Sequence, residues 1–154
     1  MQIVNDHFTY TGMPTTGWYI RNGGQGGSLM VANTYFDQHG TGTPIRLGGS
    51  KTKIIGSHFL CAKSQDSPGL IRVMSGGSQQ TIVANCTVDL NECALQSLVY
   101  YSAKEGTPTG GVITGNMVYG TGASYLGAAI DSTGTLLPDA ATASWVNNNN
   151  VRCT

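Results

Sequence analysis

Six times along the chain a short apolar stretch runs into a small or Asn-type turn residue and emerges at another apolar residue. The copies are Ile3-Val4-Asn5-Asp6-His7-Phe8, Val31-Ala32-Asn33-Thr34-Tyr35-Phe36, Ile55-Gly56-Ser57-His58-Phe59-Leu60, Val83-Ala84-Asn85-Cys86-Thr87-Val88, Ile113-Thr114-Gly115-Asn116-Met117-Val118 and Val146-Asn147-Asn148-Asn149-Asn150-Val151. They begin at 3, 31, 55, 83, 113 and 146, so the steps are 28, 24, 28, 30 and 33 residues. Self-similarity at such a period predicts an array of stacked units. Between the copies a second β-rich stretch recurs: Trp18-Tyr19-Ile20-Arg21, Pro44-Ile45-Arg46-Leu47, Leu70-Ile71-Arg72-Val73, Leu98-Val99-Tyr100-Tyr101 and a fainter Ala128-Ala129-Ile130-Asp131. Each repeat thus holds at least two short strands joined by Gly, Ser, Thr and Asn turns, and no stretch has the period of an amphipathic helix. The predicted class is all-β, a solenoid in which each unit buries its apolar face against the units above and below.

Numbering each copy from its first residue makes the sixth member inward: Phe8, Phe36, Leu60, Val88, Val118 and Val151. Alternation along a strand then turns the fifth and seventh members outward. The fifth are His7, Tyr35, Phe59, Thr87, Met117 and Asn150, and the seventh Thr9, Asp37, Cys61, Asp89, Tyr119 and Arg152. An outward row holding Tyr35, Phe59, Met117 and Tyr119 is more apolar than solvent alone selects, which suits a subunit interface or a sugar-binding strip. The second stretch supplies its own column, Arg21, Arg46, Arg72, Tyr100 and then Asp131. Stacked guanidiniums need anions or carboxylates between them, so this column suits either an acidic polysaccharide or pairing with carboxylates of a neighbouring subunit or loop. Asp37 and Asp89 share a column two repeats apart, so their backbones stand about 9.6 Å apart at ~4.8 Å per rung. That separation is compatible with an inverting pair of glycosidase carboxyls, with Glu92 on the following loop as a further acid. Solvated surface carboxylates are the plainer reading of the same residues.

Composition narrows the picture. The 154 residues are one domain's worth of chain, and 40% are apolar, enough for a core. Charged residues make up only 10%, and eight basic against eight acidic residues cancel, so neither nucleic acid nor an anionic membrane is an expected partner. No apolar run approaches the length of a membrane span, and the N-terminus lacks the pattern of a signal peptide. Cys61, Cys86, Cys93 and Cys153 show no metal-ligand spacing and occupy different repeat positions, so they are expected to be reduced thiols, with no cofactor and no metal implied. Gly23-Gly24-Gln25-Gly26-Gly27 lacks the strand and helix of a phosphate loop. Asp131-Ser132-Thr133-Gly134 departs from the aspartic-protease triplet by one residue. Repeats that start and stop so close to the two ends suggest a segment of a longer chain, or ends covered by partners.

The I-x-[GNS]-x-x-Φ copies, at steps of 24–33 residues, resemble the coils of right-handed parallel β-helices of the pectate-lyase type, here about six coils in a single domain spanning 1–154. Within that group the free cysteines, the Gly- and Thr-rich surface and the abrupt ends look most like bacteriophage tail spikes. The resemblance implies a homotrimer on the virion, assembled in the host cytoplasm, that binds and often cleaves bacterial capsule or O-antigen polysaccharide. It transfers no catalytic residue, because spikes share no catalytic motif. The expected glycan contacts are therefore those read from the columns: Arg21, Arg46, Arg72, Tyr100, Tyr35 and Tyr119 for binding, and Asp37, Asp89 and Glu92 for any cleavage. The alternatives are a structural virion or interaction protein without glycan chemistry, and a fragment of a secreted polysaccharide lyase or hydrolase.

Overall fold

In a computed structural model the chain is described over residues 1–10, 20–22, 27–38, 45–47, 51–61, 69–73, 80–89, 97–102, 111–119, 125–130, 136–137 and 145–153. All regular structure among the described residues is strand. Among the described residues eighteen strands form three six-stranded sheets. The first holds β1 (Gln2–Val4), β4 (Ser28–Ala32), β7 (Lys51–Ile55), β10 (Gln80–Ala84), β13 (Gly111–Thr114) and β17 (Trp145–Asn148). The second holds β2 (His7–Tyr10), β5 (Tyr35–Gln38), β8 (His58–Cys61), β11 (Thr87–Asp89), β14 (Met117–Tyr119) and β18 (Val151–Cys153). The third holds β3 (Ile20–Asn22), β6 (Ile45–Leu47), β9 (Gly69–Val73), β12 (Ser97–Ser102), β15 (Tyr125–Ile130) and β16 (Leu136–Leu137). Each of the first four repeats gives one strand to each sheet in turn, the fifth gives both β15 and β16 to the third sheet, and the sixth is described only in the first two sheets; neighbouring repeats pair in parallel. The exception is β16, which runs antiparallel on β15. This arrangement is compatible with a parallel β-helix. The sequence predicts at least two strands per repeat; the first four repeats have three, because each sextet is itself two strands meeting at a corner.

The corner follows from one backbone position. The third members Asn5, Asn33, Gly56, Asn85, Gly115 and Asn149 all have positive φ, at 57°, 49°, 60°, 54°, 65° and 54°. Asparagine and glycine are the residues that enter the left-handed region at least cost. One such residue redirects the chain without breaking the ladder between repeats. The Asn33 N–H donates to the Ile55 carbonyl at 3.0 Å, and the Tyr35 N–H donates to the Asp6 carbonyl at 2.9 Å. The fourth members fill the inside of the corner, where Thr34, Ser57, Cys86 and Asn116 are buried. Their polar atoms are partnered there: the Cys86 N–H donates to Asn116 Oδ1 at 2.9 Å, and Asn116 Nδ2 donates to the Val83 carbonyl at 3.1 Å and to Asn150 Oδ1 at 2.9 Å. Buried polar groups satisfied in this way hold adjacent repeats in one register.

All three sheets contribute to one core. Val31, Ile54, Val83 and Ile113 come from the first, Phe36, Phe59, Val88 and Val118 from the second, and Ile20, Ile45, Leu47, Ile71, Val73 and Val99 from the third. On the second sheet three phenyl rings stack, with centroids 5.4 Å apart for Phe8 and Phe36 and 4.8 Å for Phe36 and Phe59, each pair 8° from parallel.

That stack corrects two expected registers. Val31 and Val83 both pair with Ile54, not Ile55, so the third copy begins one residue earlier. Phe59 is therefore the inward sixth member, His58 the outward fifth, and Leu60 the seventh. In the last copy Ile113 pairs with Asn147 and Met117 with Val151. Val151 thus belongs to the outward fifth column and is 50% exposed, rather than inward.

Candidate functional site

The expected site residues divide between two sheets. Tyr35, Asp37, Asp89 and Tyr119 lie on the outer face of the second; Arg21, Arg46, Arg72 and Tyr100 align on the third. Glu92 lies outside the described residues. The arginine column is in register, with Arg21 opposite Arg46, Arg46 opposite Arg72 and Arg72 opposite Tyr100. Its next member is Ala128 rather than Asp131, because β15 pairs with β12 directly along Tyr125–Ile130. Arg21 is exposed and Arg46 half-buried. No shared strand brings this column to the carboxylates of the second sheet.

On the second sheet the register builds two adjacent outward columns. The fifth-member column reads His7, Tyr35, His58, Thr87, Met117, Val151. The seventh-member column reads Thr9, Asp37, Leu60, Asp89, Tyr119, Cys153. Asp37 and Asp89 flank Leu60 from opposite sides, which preserves the separation of two rungs expected from sequence.

Tyr35 occupies the middle of the polar part of this face. Its ring lies edge-on to His7 at 4.8 Å and stacks on His58 at 4.9 Å, 6° from parallel. His58 therefore covers one face of the Tyr35 ring, while His7 contacts it in a T-shaped arrangement. Partial burial first, and then the Asp37 and Asp89 carboxylates, push the Tyr35 phenol above its ordinary 10.0. Both carboxylates are thus electrostatically coupled to this ring, and the hydroxyl stays a hydrogen-bond donor at neutral pH. His7 Nε2 is 3.2 Å from the Thr9 hydroxyl. The result is a polar strip of phenol, imidazole, hydroxyl and carboxylate groups.

Beyond Asp89 the face turns apolar. Met117 and Tyr119 are 39% and 38% exposed, and the Tyr119 hydroxyl lies 3.9 Å from Met117 Sδ. Tyr119 follows Asp89 on the next rung. The exposed aromatic expected at 59 is instead core, and His58 takes its outward place. Gly56 was the available signal: it fits the left-handed third position, which Ser57 does not.

Among the described residues no group of three or more His, Cys, Asp or Glu side chains is placed to hold a metal ion. No helix there is long and apolar enough to cross a membrane. Cys86 and Cys153 are free thiols in different columns. Glu92 and Asp131 apart, every expected site residue has a register position, but only the second-sheet set forms a continuous arrangement of described side chains. No protein-family model, no curated protein and no solved structure matches this chain.

Proposed function

We propose that this chain is a right-handed parallel β-helix of the tail-spike kind that recognises a bacterial surface polysaccharide through the outer face of its second sheet. The observation that carries this reading is Tyr35, its ring packed between His7 and His58 and its phenol coupled to Asp37 and Asp89. Sugar hydroxyls both donate and accept, and this strip offers a donor phenol, imidazoles and two carboxylate acceptors along consecutive rungs. The half-exposed ring of Tyr119 adds apolar area at one end, suited to the CH face of a pyranose. Support for hydrogen-bonded recognition is therefore stronger than for a stacking strip, since His58 already stacks on one face of Tyr35.

The test is binding of intact capsular and O-antigen polysaccharides, read together with the release of reducing ends. Recognition predicts saturable binding that Tyr35→Ala weakens at least about tenfold, the scale of one or two lost hydrogen bonds to charged or polar groups. Cleavage by a carboxylate pair predicts release that Asp37→Asn or Asp89→Asn abolishes while binding persists. Binding by a protein in which none of these three changes has any effect would reject the second-sheet face.

A further inference from the structure

The second sheet mixes charges, with Asp37 and Asp89 and, on β18, Arg152, whereas the six strands of the first contain no Asp, Glu or Arg and carry only Lys51 and Lys53. Both lysines are exposed, and both stand on β7, two residues apart, so they project from the same face about 6.7 Å apart along the strand. The register puts uncharged neighbours on either side. Ser28 and Gln80 flank Lys51, and Met30 and Ile82 flank Lys53. These side chains line an open recess of about 520 Å³, and the described residues of its lining include no carboxylate.

We infer that this recess binds an oxyanion, a phosphate or carboxylate group, between the Lys51 and Lys53 ammoniums. Two like charges on one face with no acid in the lining leave a local positive potential, and a concave wall concentrates it. Each ammonium has three donors on a flexible stem, so both can converge on one anionic group. The Gln80 amide and Ser28 hydroxyl supply further donors at the rim. Half-buried Met30 and Ile82 give apolar contact to whatever carries the anion. The site lies on a different sheet from the Tyr35 strip and does not depend on it.

The experiment is calorimetric titration of the intact chain with two probes, tripolyphosphate and trigalacturonate, at low and at physiological salt. The expected result is saturable binding of at least one probe, weakened by added salt. The Lys51→Gln/Lys53→Gln double variant should bind at least about tenfold more weakly, the scale of one lost charge-assisted hydrogen bond. Lys51→Arg/Lys53→Arg should retain binding, and Arg46→Gln, on the third sheet, should leave it unchanged. Preference for one probe identifies the oxyanion as phosphate or carboxylate. Both lysines are exposed, so an unchanged unfolding transition in each variant verifies the fold. Failure of both probes to bind, or equal affinity in the wild type and the Gln double variant, overturns the inference.

Discussion

Removing the Phe36 ring tests the stack at its middle. Phe36 is fully buried, with rings on both sides, Phe8 at 5.4 Å and Phe59 at 4.8 Å. Truncation to alanine loses the transfer free energy of the phenyl group and leaves a cavity between neighbouring rungs, together about 3–5 kcal/mol. Two ring contacts worth roughly 0.5–1.5 kcal/mol each are part of that loss. Phe8 is only half-buried and has one ring neighbour in the stack, so Phe8→Ala should cost about half as much. In the third repeat Phe59→Ala should likewise cost about 3–5 kcal/mol, whereas Leu60→Ala, in an outward column, should cost about 1 kcal/mol or less. The assay is equilibrium urea unfolding followed by far-UV circular dichroism, with the midpoint and the slope both fitted. A Phe36–Phe59 double-mutant cycle should show coupling of about 0.5–1.5 kcal/mol. A larger loss from Leu60→Ala than from Phe59→Ala would refute the register, and with it the assignment of His58 to the outward face. Equal losses at Phe8 and Phe36 would refute the stack.

Two further predictions concern the corners. Asn33 has φ of 49° and an exposed side chain, so Asn33→Gly should be nearly neutral while Asn33→Val should destabilise by about 1–2 kcal/mol in the same urea assay. Burial pushes the Cys86 thiol up from 9.0 to about 11, against weaker opposing backbone hydrogen bonds from Ser57, Ala84 and Gly56. The folded-state value is raised, so this stability is fully present below pH 9.0, where the thiol is neutral folded or unfolded, and is lost as pH rises towards about 11. The loss should reach about 2–3 kcal/mol and be absent in Cys86→Ser, which unfolding midpoints across that pH window would show.

Much of the architecture was legible because stacking imposes the same physical demand at the same place in each repeat. Ile3, Val31, Val83 and Ile113 align as the sextets predict. The slip in the third repeat has a definite cause. Ile54 and Ile55 are both apolar, as are Phe59 and Leu60, so hydrophobicity accepts either frame. Backbone conformation decides between them, since only Gly56 suits the left-handed corner that Asn33 and Asn85 occupy on either side. In the last repeat Asn147 to Asn150 offer several asparagines for that one position, and the apolar Val146 and Val151 favour the wrong frame. The third strand of each repeat was hidden because the sextet's turn residue bends the chain within a single position, too briefly to read as a loop. The carboxylate column survived the slip, because Asp37 and Asp89 belong to the correctly framed second and fourth repeats. The Tyr35–His58 contact did not, because it required the corrected third repeat. Lys51 and Lys53 precede the sextet of their repeat, so the alternation within the sextet does not reach them on the first sheet's outer face.

Binding of a panel of bacterial capsular and O-antigen polysaccharides, with wild type, Tyr35→Ala and Arg46→Ala compared on the same polymers, tests the glycan-recognition proposal most directly. The proposal predicts a polymer that the wild type and Arg46→Ala hold alike and Tyr35→Ala loses at least about tenfold. Loss on Arg46→Ala with Tyr35→Ala unaffected would contradict it and move recognition to the third sheet, and absence of binding across the panel would contradict recognition of these polymers altogether.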